Sequence, residues 1–579
     1  MSSSSNAHET TSLLAPKQNG DESVHDTVQF SRADEQPLNS LRARNPDTVD
    51  VEANETTAYL DDVTGAPKPA LSTSRLIQII AVLMIGLFTS NLDTSLVFAT
   101  HPRIASEFNA LEDSSWIFVS FLLAGLMTQV LYAKLSDVYG RRVVIVFCYG
   151  LFATGCALIG MSRSMGHVVL GRILSGSGGS GMSSLVLVIT TDLIPLRQVA
   201  TWFGYINIVS TTGRSLGGPI GGFLADRVGW RWSFLGQAPL FLTAMIACIL
   251  VVPNTKPASP KVAADDSKGP KNWLSRIDFA GTLLLGAAVL FLMFPLEIGG
   301  VKVPWTHPLV FGLFAMGVLA LVLFIVNESR WAEEPAIPLR LLKHRDILAS
   351  YLAMCCIAGA QTTLMYFVPM YFQVTAGVSN TVAGLHLIPA VAGNAVGGLV
   401  AGQVIRRTGG YKYTIIGASI SATVAYTLLV IRWRGHTNWW ESLYIAPGGF
   451  GSGMASSAVF VCLNAVVEPA HKAVVVSGLQ LTFPIGMLLG VTASSAAMFG
   501  LLPSTLEKKL LEIGLPPETR SEIIKKAIGD VGYIRQLPAS LRDIVVSSYV
   551  GGFRAAFSVI LTLSLIGLLA GSLIRNRRI

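Results

Sequence analysis

The chain has 579 residues, of which 51% are hydrophobic and 13% are charged, and its formal net charge is +8. A typical soluble protein is about 25% charged, so this composition excludes a water-soluble globular protein and also a disordered chain. The six cysteines lie in apolar runs without metal-ligand spacing, and no nucleotide-binding loop or metalloprotease motif occurs. We therefore expect no disulfide framework, metal, cofactor or enzymatic activity.

The first 70 residues contain twelve acidic and five basic side chains and are rich in Ser and Thr. They lack an apolar run long enough for the core of a cleavable signal peptide. This pattern predicts a disordered cytosolic tail over 1–70.

From about residue 75 onward, apolar stretches of about 20 residues recur, each long enough for a helix to cross a bilayer. Backbone groups must be hydrogen-bonded internally in lipid, so these stretches are expected to be helical. The sequence predicts an all-α polytopic membrane protein with fourteen transmembrane helices. The predicted spans are 75–100, 114–133, 143–161, 167–192, 199–225, 232–252, 278–297, 307–327, 347–374, 382–405, 412–431, 441–466, 474–500 and 550–574.

The orientation follows from Lys and Arg in the connections. With the amino terminus in the cytosol, the inside connections carry twenty Lys and Arg and the short outside ones carry seven, so both termini are expected to be cytosolic. These scattered residues form no basic face for nucleic acid. The outside connection 501–549 contains helix-compatible runs, which favour a small structured cap, with a flexible loop as the alternative.

Four charged residues fall within the predicted helices, where each costs about 2.5–3.5 kcal/mol to insert: Asp93, Arg172, Asp192 and Arg214. The first and fourth helices run in opposite directions, so Asp93 and Arg172 can meet in the outer half. Such a pair is either a site for a proton or a cation or a static ion pair. Asp192 belongs at the cytosolic end, as a gating group or a simple helix-end charge.

Other polar residues near mid-helix either line a cavity or bridge helices; they are Asn207, Glu297, Gln361, Tyr366, Asn394 and Gln480. His101, at the outer end of the first helix, is interpreted as an interfacial residue. The segment 176–181 matches the dinucleotide pattern GxGxxG but lies inside an apolar helix. We interpret its small residues as a surface that lets the fourth helix pack on the fifth.

Several motifs resemble those of the major facilitator superfamily. Residues 133–142 resemble its signature between helices 2 and 3, 170–176 resemble its helix 4 signature, and 213–222 resemble the helix 5 motif of its antiporters. Leu92-Asp93-Thr94 and Trp230-Arg231-Trp232 look like its fourteen-helix drug:H⁺ antiporter branch. The resemblance covers 75–575.

This resemblance implies two six-helix halves, 75–252 and 347–574, with cytosolic loops and two inserted helices over 253–346. Such halves rock about a substrate near the midplane. The resemblance also implies that Arg172 takes part in proton coupling. The first signature implies a conformational latch made of Asp137, Gly140, Arg141 and Arg142. The antiporter motif comprises Gly213, Gly217, Gly218, Pro219, Gly221 and Gly222.

The segments 190–197 and 209–219 look like those of fungal vacuolar basic amino-acid transporters. This implies a monomeric, proton-coupled antiporter that moves Lys, Arg or His into the vacuole. Glu9, Leu13 and Leu14 have the acidic dileucine form, which predicts a sorting adaptor as partner and a vacuolar membrane location. The alternatives are a plasma-membrane efflux pump for drugs or siderophores and a nutrient receptor that binds without transporting.

Overall fold

The computed structural model describes residues 73–193, 196–253, 279–299, 302–330, 342–467 and 472–575. The predicted tail with Glu9, Leu13 and Leu14, and most of the loop before the seventh crossing, lie outside the described residues. Everything described belongs to one compact unit.

The described chain is built from helices. In chain order they are α1 (Thr73–Glu107), α2 (Trp116–Tyr139), α3 (Arg141–Gly160), α4 (Met165–Leu193), α5 (Leu196–Arg227), α6 (Trp230–Leu235), α7 (Gln237–Val251), α8 (Phe279–Ile298), α9 (Pro308–Arg330), α10 (Arg345–Thr375), α11 (Asn380–Leu385), α12 (Ile388–Thr408), α13 (Lys412–Arg432), α14 (Ala446–Val466), α15 (Lys472–Glu512), α16 (Pro517–Gly529), α17 (Val531–Gln536) and α18 (Ala539–Leu573).

Thirteen membrane-length apolar segments occur among the described residues. The long helix α5 supplies a further crossing. Its glycines and Arg214 make it less apolar than the others. The prediction of an all-α fold with fourteen transmembrane helices is confirmed.

Helices α1 to α7 pack together into what we call the amino bundle. Glycines allow its closest contacts: a Cβ at Gly178 would clash with the carbonyl of Cys148 on α3, and one at Gly176 with Phe121 on α2. The expectation that this small-residue segment packs α4 against α5 is therefore wrong. It packs α4 into the groove between α2 and α3, which brings α4 into the middle of the bundle.

Helices α10 to α18 form the carboxy bundle, in which α10 packs on α15 and α18, and α12 packs on α14. The inserted hairpin, α8 and α9, lies at the seam between the bundles. Helix α8 contacts α2 of one bundle and α15 of the other, whereas α9 packs mainly on α8. The hairpin thus covers the seam from the side.

The segment after residue 500 is helical. Helix α15 continues to Glu512, and α16 and α17 follow as a small cap before α18. The cap is bonded to both bundles: the amide of Val531 donates to Ser106 Oγ of α1 at 3.0 Å, and the Tyr549 hydroxyl of α18 donates to the carbonyl of Ala527 at 2.7 Å. We call this end of the molecule the cap end, and the opposite end, between α2 and α3, the latch end.

Candidate functional site

Asp93 and Arg172 form an ion pair inside the amino bundle. Arg172 Nη1 donates to Asp93 Oδ2 at 2.5 Å, and both side chains are fully buried. Arg172 Nε also donates to the carbonyl of Ile117 at 2.9 Å. The structure thus brings together the two residues that helix direction and depth predicted as neighbours.

The surroundings of this pair are only partly satisfied. The guanidinium lies 4.1 Å from the centre of the Phe121 ring, and Gln237 Nε2 donates to Asp93 Oδ1 at 3.3 Å. Arg172 Nη2 and Gln237 Oε1 have no hydrogen-bond partner among the described residues. Unsatisfied polar atoms next to a buried ion pair are costly. Neutralising Asp93 would leave the charge of Arg172 buried without its counter-ion, so a change in the charge of Asp93 alters the stability of this packing.

Arg214 lies on α5 and is exposed, and its Nε donates to Asn91 Oδ1 of α1 at 3.0 Å. Gly218, one turn nearer the cap end, faces the carboxy bundle, because a Cβ there would lie 3.6 Å from the carbonyl oxygen of Gly384. Arg214 therefore occupies the face of α5 that looks toward the other bundle, just beyond the point where the bundles touch. An exposed guanidinium at this position can bind a carboxylate.

The bundles meet at the cap end through short polar contacts. Asp226, at the end of α5, accepts hydrogen bonds from the backbone and side chains of Asn380 and Thr381 at the start of α11. Gln373 Nε2 of α10 donates to the carbonyl of Ala99 at 3.0 Å. These contacts close the cap end.

The structure describes Gly140, Arg141 and Arg142 of the predicted latch. Arg141 Nε pairs with Asp192 Oδ2 at 2.9 Å, so the first residue of α3 is tied to the end of α4. Arg141 also donates to Ser136 Oγ of α2. Gly140, between α2 and α3, has φ 93°, a conformation that favours glycine. The side chain of Asp137 lies outside the described part of the structure.

The cavity candidates differ in their burial. Glu297 and Tyr366 are buried at the closed cap end, where they contact Ser115 and Ser114 of the segment before α2. Gln361 is buried on α10, and neither polar atom of its side chain has a partner among the described residues. Asn394 is half-buried on α12 and Gln480 is exposed on α15; the side chain of Asn207 is not described.

Sequence reasoning missed Gln237 and Asn91, and it misplaced His101. A signal for Gln237 was present, since this amide begins the strongly apolar helix α7 and lies within the predicted crossing 232–252. His101 is fully buried and stacks on Tyr366, with ring centroids 3.9 Å apart. Nothing in a single sequence reveals that pairing, because the two residues are 265 positions apart.

A family model described as Major Facilitator Superfamily matches residues 83–491. The chain belongs to the major facilitator superfamily. It is a transporter rather than an enzyme, and the predicted membership, with fungal vacuolar and drug-type relatives, is confirmed.

Two similar proteins come from Schizosaccharomyces pombe. The vacuolar membrane amino acid uptake transporter fnx2 is 29% identical over 510 residues, covering 88% of this chain and 86% of that protein. The multidrug resistance protein fnx1 is 29% identical over 519 residues, covering 89% and 95%. The efflux pump dotC of Dothistroma septosporum is 28% identical over 481 residues, covering 82% and 79%.

Among solved structures, this superfamily member resembles a bacterial homolog of the human lysosomal transporter Spinster in its inward-facing, unoccupied conformation. The TM-score is 0.61 at 15% identity, and the match covers 87% of this chain and 98% of the other. At this identity the likeness concerns the fold.

Proposed function

We propose that this transporter is a proton-coupled antiporter that moves basic amino acids into the fungal vacuole. The observation that carries the proposal is the fully buried pair of Asp93 and Arg172, with unsatisfied polar atoms around it. The similarity to a vacuolar amino acid uptake transporter supports the substrate class and the membrane. No cofactor is needed, because the free energy comes from the proton gradient.

The proton acts at Asp93. When a proton binds, the ion pair loses its attraction, and Arg172 becomes a buried charge with a neutral neighbour. The bundle then relaxes toward the conformation in which Arg172 finds other partners, which couples protonation to movement. A cationic side chain that reaches Asp93 competes with the proton, so one carboxylate alternates between the two.

Arg214 binds the carboxylate that all amino acids share. Its guanidinium is exposed on the inter-bundle face and is oriented by Asn91. Gln361, with its unpaired amide on α10 of the carboxy bundle, is placed to contact the substrate from the opposite side. Recognition by both bundles is what alternating access requires.

Purified protein in liposomes, with labelled arginine and an imposed pH gradient, tests this function. We expect uptake in exchange for protons, competition by lysine and histidine, and a strongly weakened substrate affinity in Arg214→Gln, since the carboxylate loses a bidentate partner. The matched control is Arg554→Gln, which changes an exposed arginine on α18 and should retain wild-type uptake. No arginine flux at any gradient would reject the proposal.

An efflux pump is the second candidate, favoured by the relatives named as multidrug resistance protein and efflux pump. The membrane in which the protein resides distinguishes the two functions.

We propose that the acidic dileucine of Glu9, Leu13 and Leu14 directs the chain to the vacuole through a sorting adaptor, with both termini cytosolic. A fluorescent fusion with both leucines changed to Ala should move to the plasma membrane, whereas an unaltered fusion already at the plasma membrane would favour the efflux pump.

A further inference from the structure

A buried polar cluster lies at the closed cap end, where the two bundles and the inserted hairpin meet. Its members come from five segments of the chain: His101 of α1, Ser114 and Ser115 before α2, Glu297 of α8, Tyr366 of α10 and Thr492 of α15. All six are at least nine-tenths buried. The cluster therefore exists only while α2, α8, α10 and α15 are packed together.

Glu297 is the carboxyl group of this cluster. Ser115 precedes α2, but its hydroxyl makes no capping bond to that helix and donates instead to Glu297 Oε2 at 2.5 Å. Glu297 Oε1 is buried and has no hydrogen-bond partner among the described residues. Only one of the two carboxyl oxygens is therefore satisfied.

The charged groups nearby do not neutralise Glu297. Lys302, in the connection between α8 and α9, is paired with Asp113 at 2.7 Å. The titratable groups that face the carboxyl from α10 and α1 are Tyr366, which bonds to Ser114 at 3.0 Å, and His101 behind it. The face of α15 presents the hydroxyl of Thr492 to the carboxyl, but this contact does not reach the geometry of a full hydrogen bond.

An ionised carboxylate in this environment carries a desolvation penalty that the hydrogen bond from Ser115 offsets only in part. A protonated carboxyl has no charge and gains an O–H donor, and Thr492 offers an acceptor for it. Opening of the cap end would separate α2 from α15, let water reach the carboxyl and remove that preference.

We propose that Glu297 is a gating proton site: the cap end closes when Glu297 is protonated and opens when it releases the proton. The proton enters and leaves from the cap side. It therefore sets the conformational equilibrium without being carried across the membrane, which distinguishes it from the proton at Asp93. In the proposed orientation, acidity on the vacuolar side favours closure.

The test is the accessibility of a cysteine placed in the closed contact. Ala99 is fully buried and its carbonyl accepts the bond from Gln373, so Ala99→Cys reacts with a membrane-impermeant maleimide only when the cap end is open. The same chain without Ala99→Cys gives the background from its native cysteines. We expect labelling, relative to Glu297→Gln at the same pH, to rise with pH by up to about tenfold per pH unit while Glu297 titrates.

Glutamine keeps the volume and the donor of a protonated glutamate, so Glu297→Gln should remain closed and be labelled slowly at every pH. The matched control is Glu441→Gln at the same end of the molecule, where Glu441 pairs with Arg432 at 3.1 Å; this variant should keep the pH-dependent labelling. Ser115→Ala provides a second variant. It removes the donor to the ionised carboxylate, so the rise in labelling should move to higher pH.

Equal pH dependence in the parent and in Glu297→Gln, with both eluting as monodisperse folded protein, would overturn the proposal. The labelling needs no substrate, so it reports on the gate even if the proposed function in amino-acid transport fails. If transport is observed, Glu297→Gln should leave the ratio of protons to substrate unchanged while slowing turnover. A lower ratio would show that Glu297 carries a coupling proton, and the gating proposal would be wrong.

Discussion

At the scale of single residues, the amino bundle holds a complete ion pair where water does not reach. Asp93 and Arg172 come from α1 and α4, and neither side chain is exposed. Each charge is tolerated because the other is present, and a buried pair of this kind adds little net stability. A pair that contributes so little to folding supports the proposed use of these charges in transport.

The first prediction concerns Asp93→Asn. Asparagine retains the size of the side chain but takes no proton, so uptake driven by a pH gradient should be abolished. Arg172 is then buried without its counter-ion, which should lower the free energy of unfolding by about 3–5 kcal/mol. Uptake into liposomes and denaturant unfolding in detergent measure the two effects separately.

The control for that experiment is the double variant Asp93→Asn with Arg172→Gln. It removes both charges, so it should recover most of the lost stability without recovering coupled uptake. Arginine accumulation at the wild-type rate in either variant would mean that the pair is structural.

At the scale of helices, α5 works through two glycine faces. Gly213, Gly217 and Gly221 pack on α1, and Gly218 and Gly222 face α11 across the gap between the bundles. A single sequence could not show that the glycines of this motif pack on two different partners. The second face is the one that must separate when the cap end opens.

The second prediction is that Gly222→Ala hinders closure of the cap end. A Cβ at Gly222 would clash with the carbonyl of Asn380, a backbone atom that cannot move aside easily. We expect most of the transport rate to be lost, while the protein still folds. Gly312→Ala on α9 is the matched control, because a Cβ there meets no atom within 4 Å; equal rates in the two variants would contradict the role of this face.

Hydropathy located the membrane crossings well because each needs an apolar run of fixed length. It failed at the cap end, where α1 extends to Glu107 and α18 begins at Ala539, well outside the apolar runs. Those extensions are stabilised by contacts with the cap rather than by lipid. For the same reason, polarity near mid-helix singled out Asp93 and Arg172 but could not decide whether Glu297 lines a cavity or bridges helices. Burial at the seam depends on neighbours that are distant in sequence.

At the scale of the whole molecule, the structure is closed at one end and leaves Arg214 accessible between the bundles. The closing contacts are mostly hydrogen bonds and glycine contacts, such as those of Asp226 and Gly222. Such contacts can be exchanged for water at small net cost. The ion pair of Asp93 and Arg172, the buried polar cluster around Glu297 and the contact of Arg141 with Asp192 lie at different depths. In the proposed transport cycle, each can therefore respond to a different step.

The inserted hairpin has a mechanical consequence. Helix α9 is the most apolar of the thirteen apolar segments, with a mean hydropathy of 3.0, and only 22% of its most apolar window is buried in the protein. Its 23 residues span about 34 Å. This length slightly exceeds the thickness of a typical hydrocarbon layer, which is about 30 Å. Because α9 packs on α8, and α8 contacts both α2 and α15, we expect the thickness and lateral pressure of the bilayer to influence the separation of the bundles. Turnover should therefore fall in vesicles of short-chain lipids although the protein inserts normally, and a rate independent of acyl-chain length would show that the hairpin is a passive cover.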